Sequence, residues 1–307
     1  MADSKPRILR YGMAAVAEAA ARITAGEPVA VPTETVYGLA ADATNADAVA
    51  RIYAAKGRPS FNPLIVHVPD VAAAAALAVF DDDARMLAAM FWPGPLTLVL
   101  PLRERAPIAA LVTAGLPTVA IRVPRHRAMQ AVLAASGRPL AAPSANASNG
   151  ISPTRAAHVA SSLGAQIGLI LDDGPTEAGL ESTILAGRTL LRPGPIAMGD
   201  LPFAVERRAE GGSVTAPGQL KSHYAPVKPL RLDALAAAEG EWLIGFGAVA
   251  GNETLSAAGD LTEAAARLFD ALHRADASDA RAIAVAPIPA DGLGEAINDR
   301  LRRAAHR

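Results

Sequence analysis

Short apolar runs that stop abruptly in hydroxyl, Gly and Pro residues recur along the chain, at 28–31, 64–68, 96–100, 118–123, 167–171, 183–185 and 189–191. Their length and their bounding turn residues predict strands. Helical spacing intervenes at 45–55, 81–91, 125–136 and 153–163, and before the first run at 12–25, where Val16, Ala20 and Ile23 share a face and Gly26 stands where a helix would end. Such alternation predicts an α/β domain built on a large twisted mixed sheet.

Around residue 210 the texture changes. Glu210 to Gly218 holds Gly, Ser and Pro without apolar period and reads as a linker. Behind it a shorter alternation begins, with strands expected at 228–232, 242–246 and 282–286 and helices at 262–275 and 292–304. That pattern predicts a small three-layer, Rossmann-like α/β domain with parallel strands. The expected division is therefore residues 1–209 for the first domain, 210–227 for a linker or lid, and 228–307 for the second. Gly245-Phe-Gly247 is an incomplete dinucleotide fingerprint, so the second domain reads as a packing or regulatory unit.

Composition narrows the function. With 307 residues, 51% of them hydrophobic, the chain has ample material for a buried core. Cys is absent, which excludes disulfides, thiolate catalysis and Cys-ligated metal centres. An aromatic content of 4% leaves little for a base-stacking platform. The net charge of -1 divides into +3 over residues 1–230 and -4 over 231–307, which is not the footprint of a dedicated nucleic-acid binder. Val71 to Phe80 is apolar but far short of the roughly 20 residues that span a bilayer. No secretory signal pattern opens the chain, so a cytoplasmic location without membrane contact is expected.

Candidate chemistry collects where the strands end. Val31-Pro-Thr-Glu-Thr-Val-Tyr-Gly-Leu39 closes an apolar run in polar residues, and Lys56-Gly-Arg-Pro59 through Asn62-Pro-Leu-Ile-Val-His67 arranges cations and an amide around prolines. Taken singly, Thr33 and Glu34 could cap a helix, Lys56 and Arg58 could be solvated, and His67 reads equally as a core histidine. The repetition of the pattern argues for a pocket. Trp92-Pro-Gly-Pro95 precedes a strand; Thr118, Ala120 and Arg122 share one strand face; Ala142-Pro-Ser-Ala-Asn146, Ser152-Pro-Thr154, Glu181-Ser-Thr183 and Arg192-Pro-Gly194 complete the set. Lys56, Arg58, Arg122 and Arg192 amid small hydroxyl residues fit a polyanion, and a nucleoside triphosphate suits them better than a sugar or a lipid. A Walker pattern is missing, and no Gly-x-Ser-x-Gly nucleophile or His-x-x-x-His pair occurs. Catalysis by orientation and charge stabilisation follows.

These segments, in this order, resemble the YrdC-type threonylcarbamoyl-AMP synthases, and Ala216-Pro-Gly-Gln-Leu-Lys-Ser-His-Tyr-Ala-Pro226 with the domain behind it resembles the long two-domain members. The resemblance implies an enzyme that joins L-threonine, bicarbonate and ATP and releases pyrophosphate. Partner proteins then transfer the threonylcarbamoyl group to the adenosine 3′ of the anticodon in tRNAs reading ANN codons. It also implies a threonine subsite of Thr35, His67, Arg122, Ala142 and Ser182. The ATP subsite would comprise Lys56, Arg58, Asn62, Thr118, Ser144, Asn146, Ser152, Arg192 and Tyr224, with Lys56, Arg58, Ser144 and Asn146 as the catalytic group. Magnesium would be held mainly by the ATP phosphates, and Tyr224 with the linker would close as a lid.

Three rival readings remain at this stage. An RNA-binding module of the same fold is opposed by the near-neutral charge and few aromatics, so direct tRNA contact is expected to be weak at most. Carbamoyl transfer in hydrogenase maturation needs fused zinc-finger modules that a Cys-free chain cannot supply. A non-catalytic scaffold leaves the polar strand ends unexplained.

Overall fold

Val29 and Val31 face one side of their strand and Ala30 the other, and this alternation builds a sheet with two different faces. The structure, a computed structural model, describes residues 5–208, 216–218 and 223–306; most of the expected linker, 210–215 and 219–222, lies outside the described residues. Among the described residues the first sheet has eleven strands, in the order Arg7–Arg10, Leu169–Asp172, Val29–Pro32, Tyr37–Asp42, Leu140–Ala141, Ile65–His67, Thr118–Arg122, Leu96–Pro101, Thr183–Ala186, Thr189–Arg192 and Glu206–Arg207. Parallel pairs, such as Ile65–His67 with Thr118–Arg122, mix with antiparallel ones, such as Val29–Pro32 with Tyr37–Asp42.

One face carries Ala30, Leu39, Val66, Leu98 and Ile121 against residues of the helices Ala46–Lys56, Val71–Leu77, Asp82–Phe91 and Ala156–Leu163. On the opposite face the helices Met13–Thr24 and Arg127–Ser136 pack on each other and on Val29, Val31, Ala40 and Leu169. Helices thus cover only part of that face. Beyond them Ile65, Val99, Ala120 and Ile184 meet Ala216, and His67 and Arg122 lie on the same face by the two-residue period.

The second sheet is wholly parallel, in the order Leu230–Arg231, Ala282–Val285, Glu241–Gly245 and Glu253–Thr254. Its helices Leu261–Ala277 and Leu293–Ala305 pack on each other and on Ile244, Ile283 and Val285. Leu243 and Ala284 on the other face are covered by Ala234 and Val249 from loops. The expected three layers are therefore two, because among the described residues both helices cover one face.

Several elements escape the apolar pattern. Tyr37–Asp42 is buried throughout, so its Gly and Ala residues show no alternation, and Leu140–Ala141 is too short to register. The helices Val71–Leu77 and Ala110–Thr113 were likewise not expected. The two sheets are joined by one apolar core in which Val36, Ile151 and Leu180 meet Leu268, Phe269, Ile297 and Leu301 around Tyr224. Among the described residues no helix is long and apolar enough to cross a membrane.

Candidate active site

Pro32-Thr-Glu-Thr-Val-Tyr37 caps no helix. It is the turn of a β-hairpin: Pro32 pairs with Tyr37, the Thr33 backbone N–H donates to the Val36 carbonyl, and the Thr33 hydroxyl accepts from the Thr35 N–H at 3.1 Å. Held this way, Thr35 and Glu34 aim at Arg122. Arg122 Nη1 donates to Thr35 Oγ1 at 2.8 Å, and Nη2 lies 2.7 Å from Glu34 Oε1, off the line of a hydrogen bond. Arg122 Nε donates to the Gly94 carbonyl, so the Trp92-Pro-Gly-Pro95 turn fixes the guanidinium from behind. Burial alone would raise the Glu34 carboxyl, yet Arg122 and the Arg125 N–H hold it at about 2. Glu34 is thus an anion and Arg122 its cation.

His67 pairs in register with Arg122 on the adjacent strand. Burial, helped by the Arg122 charge, drops its imidazole to about 3, so the ring is neutral at pH 7, and Nδ1 has no hydrogen-bond partner among the described residues. Ser182 completes this corner: its hydroxyl meets Thr97 Oγ1 at 2.7 Å and accepts from Arg192 Nη2 at 3.1 Å. A register shift between Leu190 and Arg192 redirects Arg192 onto the Ser182 carbonyl, which it reaches through Nε and Nη2.

The anion side is built by the Ala46–Lys56 helix and the turn after it. Asn45 caps the helix start, and Gly57, at φ 59, reverses the chain in the left-handed conformation that glycine tolerates. Lys56 and Arg58 consequently diverge. Lys56 Nζ turns inward and donates to the carbonyls of Ser144 at 2.6 Å and Asn146 at 2.5 Å. Arg58 lines the cavity and donates to the Asn62 and Pro63 carbonyls.

Of the residues expected from the sequence, Thr35, Arg58, His67, Arg122, Ala142, Ser144, Ser182, Arg192 and Tyr224 line one cavity. Lys56, Asn62, Asn146, Ser152 and Thr118 are not among its lining. Lys56 and Asn146 stand behind the Ser144 loop, and the Asn146 amide donates to the Ala147 and Gly150 carbonyls. Ser152 donates to Glu181. Thr118 begins its strand four residues before Arg122, roughly 13 Å away at strand rise. Sequence reasoning left Thr33, Glu181, Pro217, Gly218 and His223 without a role, and all line the cavity. A carboxylate at a strand end among cations was the available signal for Glu181.

Pro217, Gly218 and Tyr224 line the cavity, whose volume is about 40 Å3, enough for on the order of three waters. Tyr224 is fully buried at φ 63, an uncommon conformation for a bulky residue, and its hydroxyl has no partner among the described residues. Gly218, at φ 82, has room for no side chain: a Cβ would stand 2.8 Å from Arg192 Cδ and 3.0 Å from the Tyr224 hydroxyl. Gly218→Ala is expected to cost about 1–2 kcal/mol of local strain and lower kcat/KM for ATP roughly tenfold. Steady-state kinetics with wild-type values would refute the contact.

Acid should loosen the site. The His67 and His223 rings, both lowered to about 3 by burial, stay neutral in the fold while the unfolded chain protonates below about 6.5. Their stabilisation is complete above that pH and is lost as pH falls toward 3; Glu34 adds a loss between 4.5 and 2. The urea midpoint is expected to fall steadily from pH 7 to pH 4, and a flat profile would contradict these placements.

A mixed α/β sheet with a cavity lined by arginines and hydroxyls, packed against a second, parallel-sheet domain, defines a two-domain α/β architecture. Residues 21–194 match the Sua5–YciO–YrdC family, described as telomere recombination, and residues 191–306 match the threonylcarbamoyl-AMP synthase C-terminal domain. The chain belongs to this family. It is 41% identical to the threonylcarbamoyl-AMP synthase of Bacillus subtilis (strain 168), over 94% of this chain and 92% of that protein. Identity to the Pyrococcus abyssi enzyme of that name is 39%, over 94% and 93%. The crystal structure of P. abyssi Sua5 complexed with L-threonine superposes with a TM-score of 0.89, at 35% identity and 98% coverage of both chains.

Proposed function

We propose that this chain makes threonylcarbamoyl-AMP and pyrophosphate from L-threonine, bicarbonate and ATP, for modification of the adenosine 3′ of the anticodon in tRNAs reading ANN codons. The observation that carries the reading is the meeting, in one cavity, of Arg122, Thr35, His67 and Ser182 with the cationic wall of Arg58 and Arg192. The similarity to named threonylcarbamoyl-AMP synthases over nearly the whole chain supports it.

In this reading Arg122 takes the threonine carboxylate, and neutral His67 faces the hydroxyl or amine without adding charge. The amine adds to bicarbonate and water leaves, giving a carbamate. A carbamate oxygen then attacks the α-phosphorus in line, and the bond to the leaving pyrophosphate breaks. Arg58 and Arg192 balance the phosphate charge, and the closed lid keeps water from the labile product. Lys56 acts from behind by fixing the Ser144 and Asn146 carbonyls, with one N–H still available. Magnesium would come with the ATP phosphates, since Glu181, the carboxylate that lines the cavity, already faces Arg300. Residues 1–209 are the catalytic domain, 210–227 the lid and 228–307 the second domain; the reaction belongs in the cytoplasm, where tRNA and the transfer proteins are.

Pyrophosphate release by the purified chain with ATP, bicarbonate and magnesium tests the reading. Release should require L-threonine and bicarbonate, fall with serine, and accompany a labile adenylate detected by mass spectrometry. Threonine-independent release, or none from a folded protein, would overturn it.

A further inference from the structure

Among the described residues Arg300 is the largest fully buried side chain, and it belongs to the Leu293–Ala305 helix of the second domain. An unpaired guanidinium could not be buried there. Its partner lies in the first domain: Nε donates to Glu181 Oε2 at 2.8 Å and Nη2 to the Glu181 carbonyl at 3.4 Å. Asp299, its sequence neighbour, accepts from Nη1 but also serves Arg303, which leaves Glu181 as the carboxylate that faces Arg300 from across the domain boundary. The guanidinium carbon also stands over the Tyr224 ring, 5.2 Å from its centroid.

Docking of two domains does not call for such a pair, since a buried ion pair is often matched or bettered by apolar residues of the same size. The position of Glu181 supplies a reason. It lines the cavity, holds the Ser152 hydroxyl, and precedes Ser182, on which Arg192 is anchored. A bare carboxylate at that point would repel an arriving triphosphate and compete for Arg192. Resting on the functional reading above, we propose that Arg300 is a positioning residue supplied by the second domain, which neutralises Glu181 and seats Tyr224 so that the cavity accepts the nucleotide. The second domain then contributes to ATP binding through one side chain that need not touch the ligand, and threonine, bound at Arg122, is indifferent to it.

Calorimetric titration of the full-length chain with Mg-ATP and separately with L-threonine tests this, with thermal melting as a check on folding. Arg300→Met is expected to weaken ATP binding tenfold or more and to leave threonine binding within about twofold. Adding Glu181→Gln to it removes the uncompensated charge and should restore most of the ATP affinity, a rescue that a merely structural role would not give. Arg300→Lys keeps the charge and should stay within about threefold for ATP. Unchanged ATP binding in Arg300→Met, or equal losses for both ligands, would overturn the proposal. If Arg300→Met does not fold, the double variant decides: ATP affinity near wild type supports the proposal, and a tenfold loss overturns it. A wild-type chain that binds no ATP would instead remove the functional reading, and this inference with it.

Discussion

Arg58→Ala is expected to lower kcat/KM for ATP by about 10²–10³ while the protein stays folded, the range found when one pre-positioned donor is taken from a transition state. Arg58 lines the cavity and, among the described residues, pairs with no carboxylate, so its charge is not spent inside the protein. Burial nevertheless holds its guanidinium down at about 10, a sign of how dry the site is. A group so placed interacts strongly with any phosphate that arrives. Arg58→Lys should recover little, because an ammonium cannot reproduce the planar fork that keeps the side chain on the Asn62 and Pro63 carbonyls while facing the ligand. Initial rates of pyrophosphate release against ATP concentration measure both variants. An Arg58→Ala enzyme within threefold of wild type would sink the phosphate assignment.

The second large effect belongs to Arg122. Arg122→Met strands Glu34, which is 2% exposed, in the core without its cation, and breaking a buried pair in this way costs about 3–5 kcal/mol. Threonine binding should vanish with it. Glu34→Gln together with Arg122→Met removes the stranded charge, so the double variant should regain most of the stability and none of the threonine affinity. Urea denaturation reads the first quantity and threonine calorimetry the second. A single variant as stable as wild type would deny the pair its structural part; a double variant that binds threonine normally would deny Arg122 the carboxylate.

Much of this was legible before any fold was known. Strands at 96–100 and 118–123 were placed within a residue or so, since each is an apolar run bounded by turn residues. Most cavity residues lie in segments where such a run gives way to hydroxyl, Gly or Pro residues. Thr118 shows where that reasoning stops: the two-residue period puts it on the Arg122 face, but the strand is longer than the cavity is wide. Lys56 and Arg58, two residues apart, look alike as letters, and only the reversal at Gly57 sends one inward and the other to the ligand.

By itself the amino-acid sequence determined many of the longer elements, the absence of thiol chemistry, the gathering of cations and hydroxyls at strand ends and the kinship to a two-domain family, because each depends on local periodicity or on motifs a few residues long. Tertiary structure alone decided the charge balance. Arg122 meets Thr35 across 87 residues and Arg300 meets Glu181 across 119, adjacencies set by strand register and domain packing. Whether a buried charge is a ligand's partner or the protein's own depends on those adjacencies, since Coulomb energies in a dry interior are fixed by distances of a few ångströms that no spacing along the chain encodes.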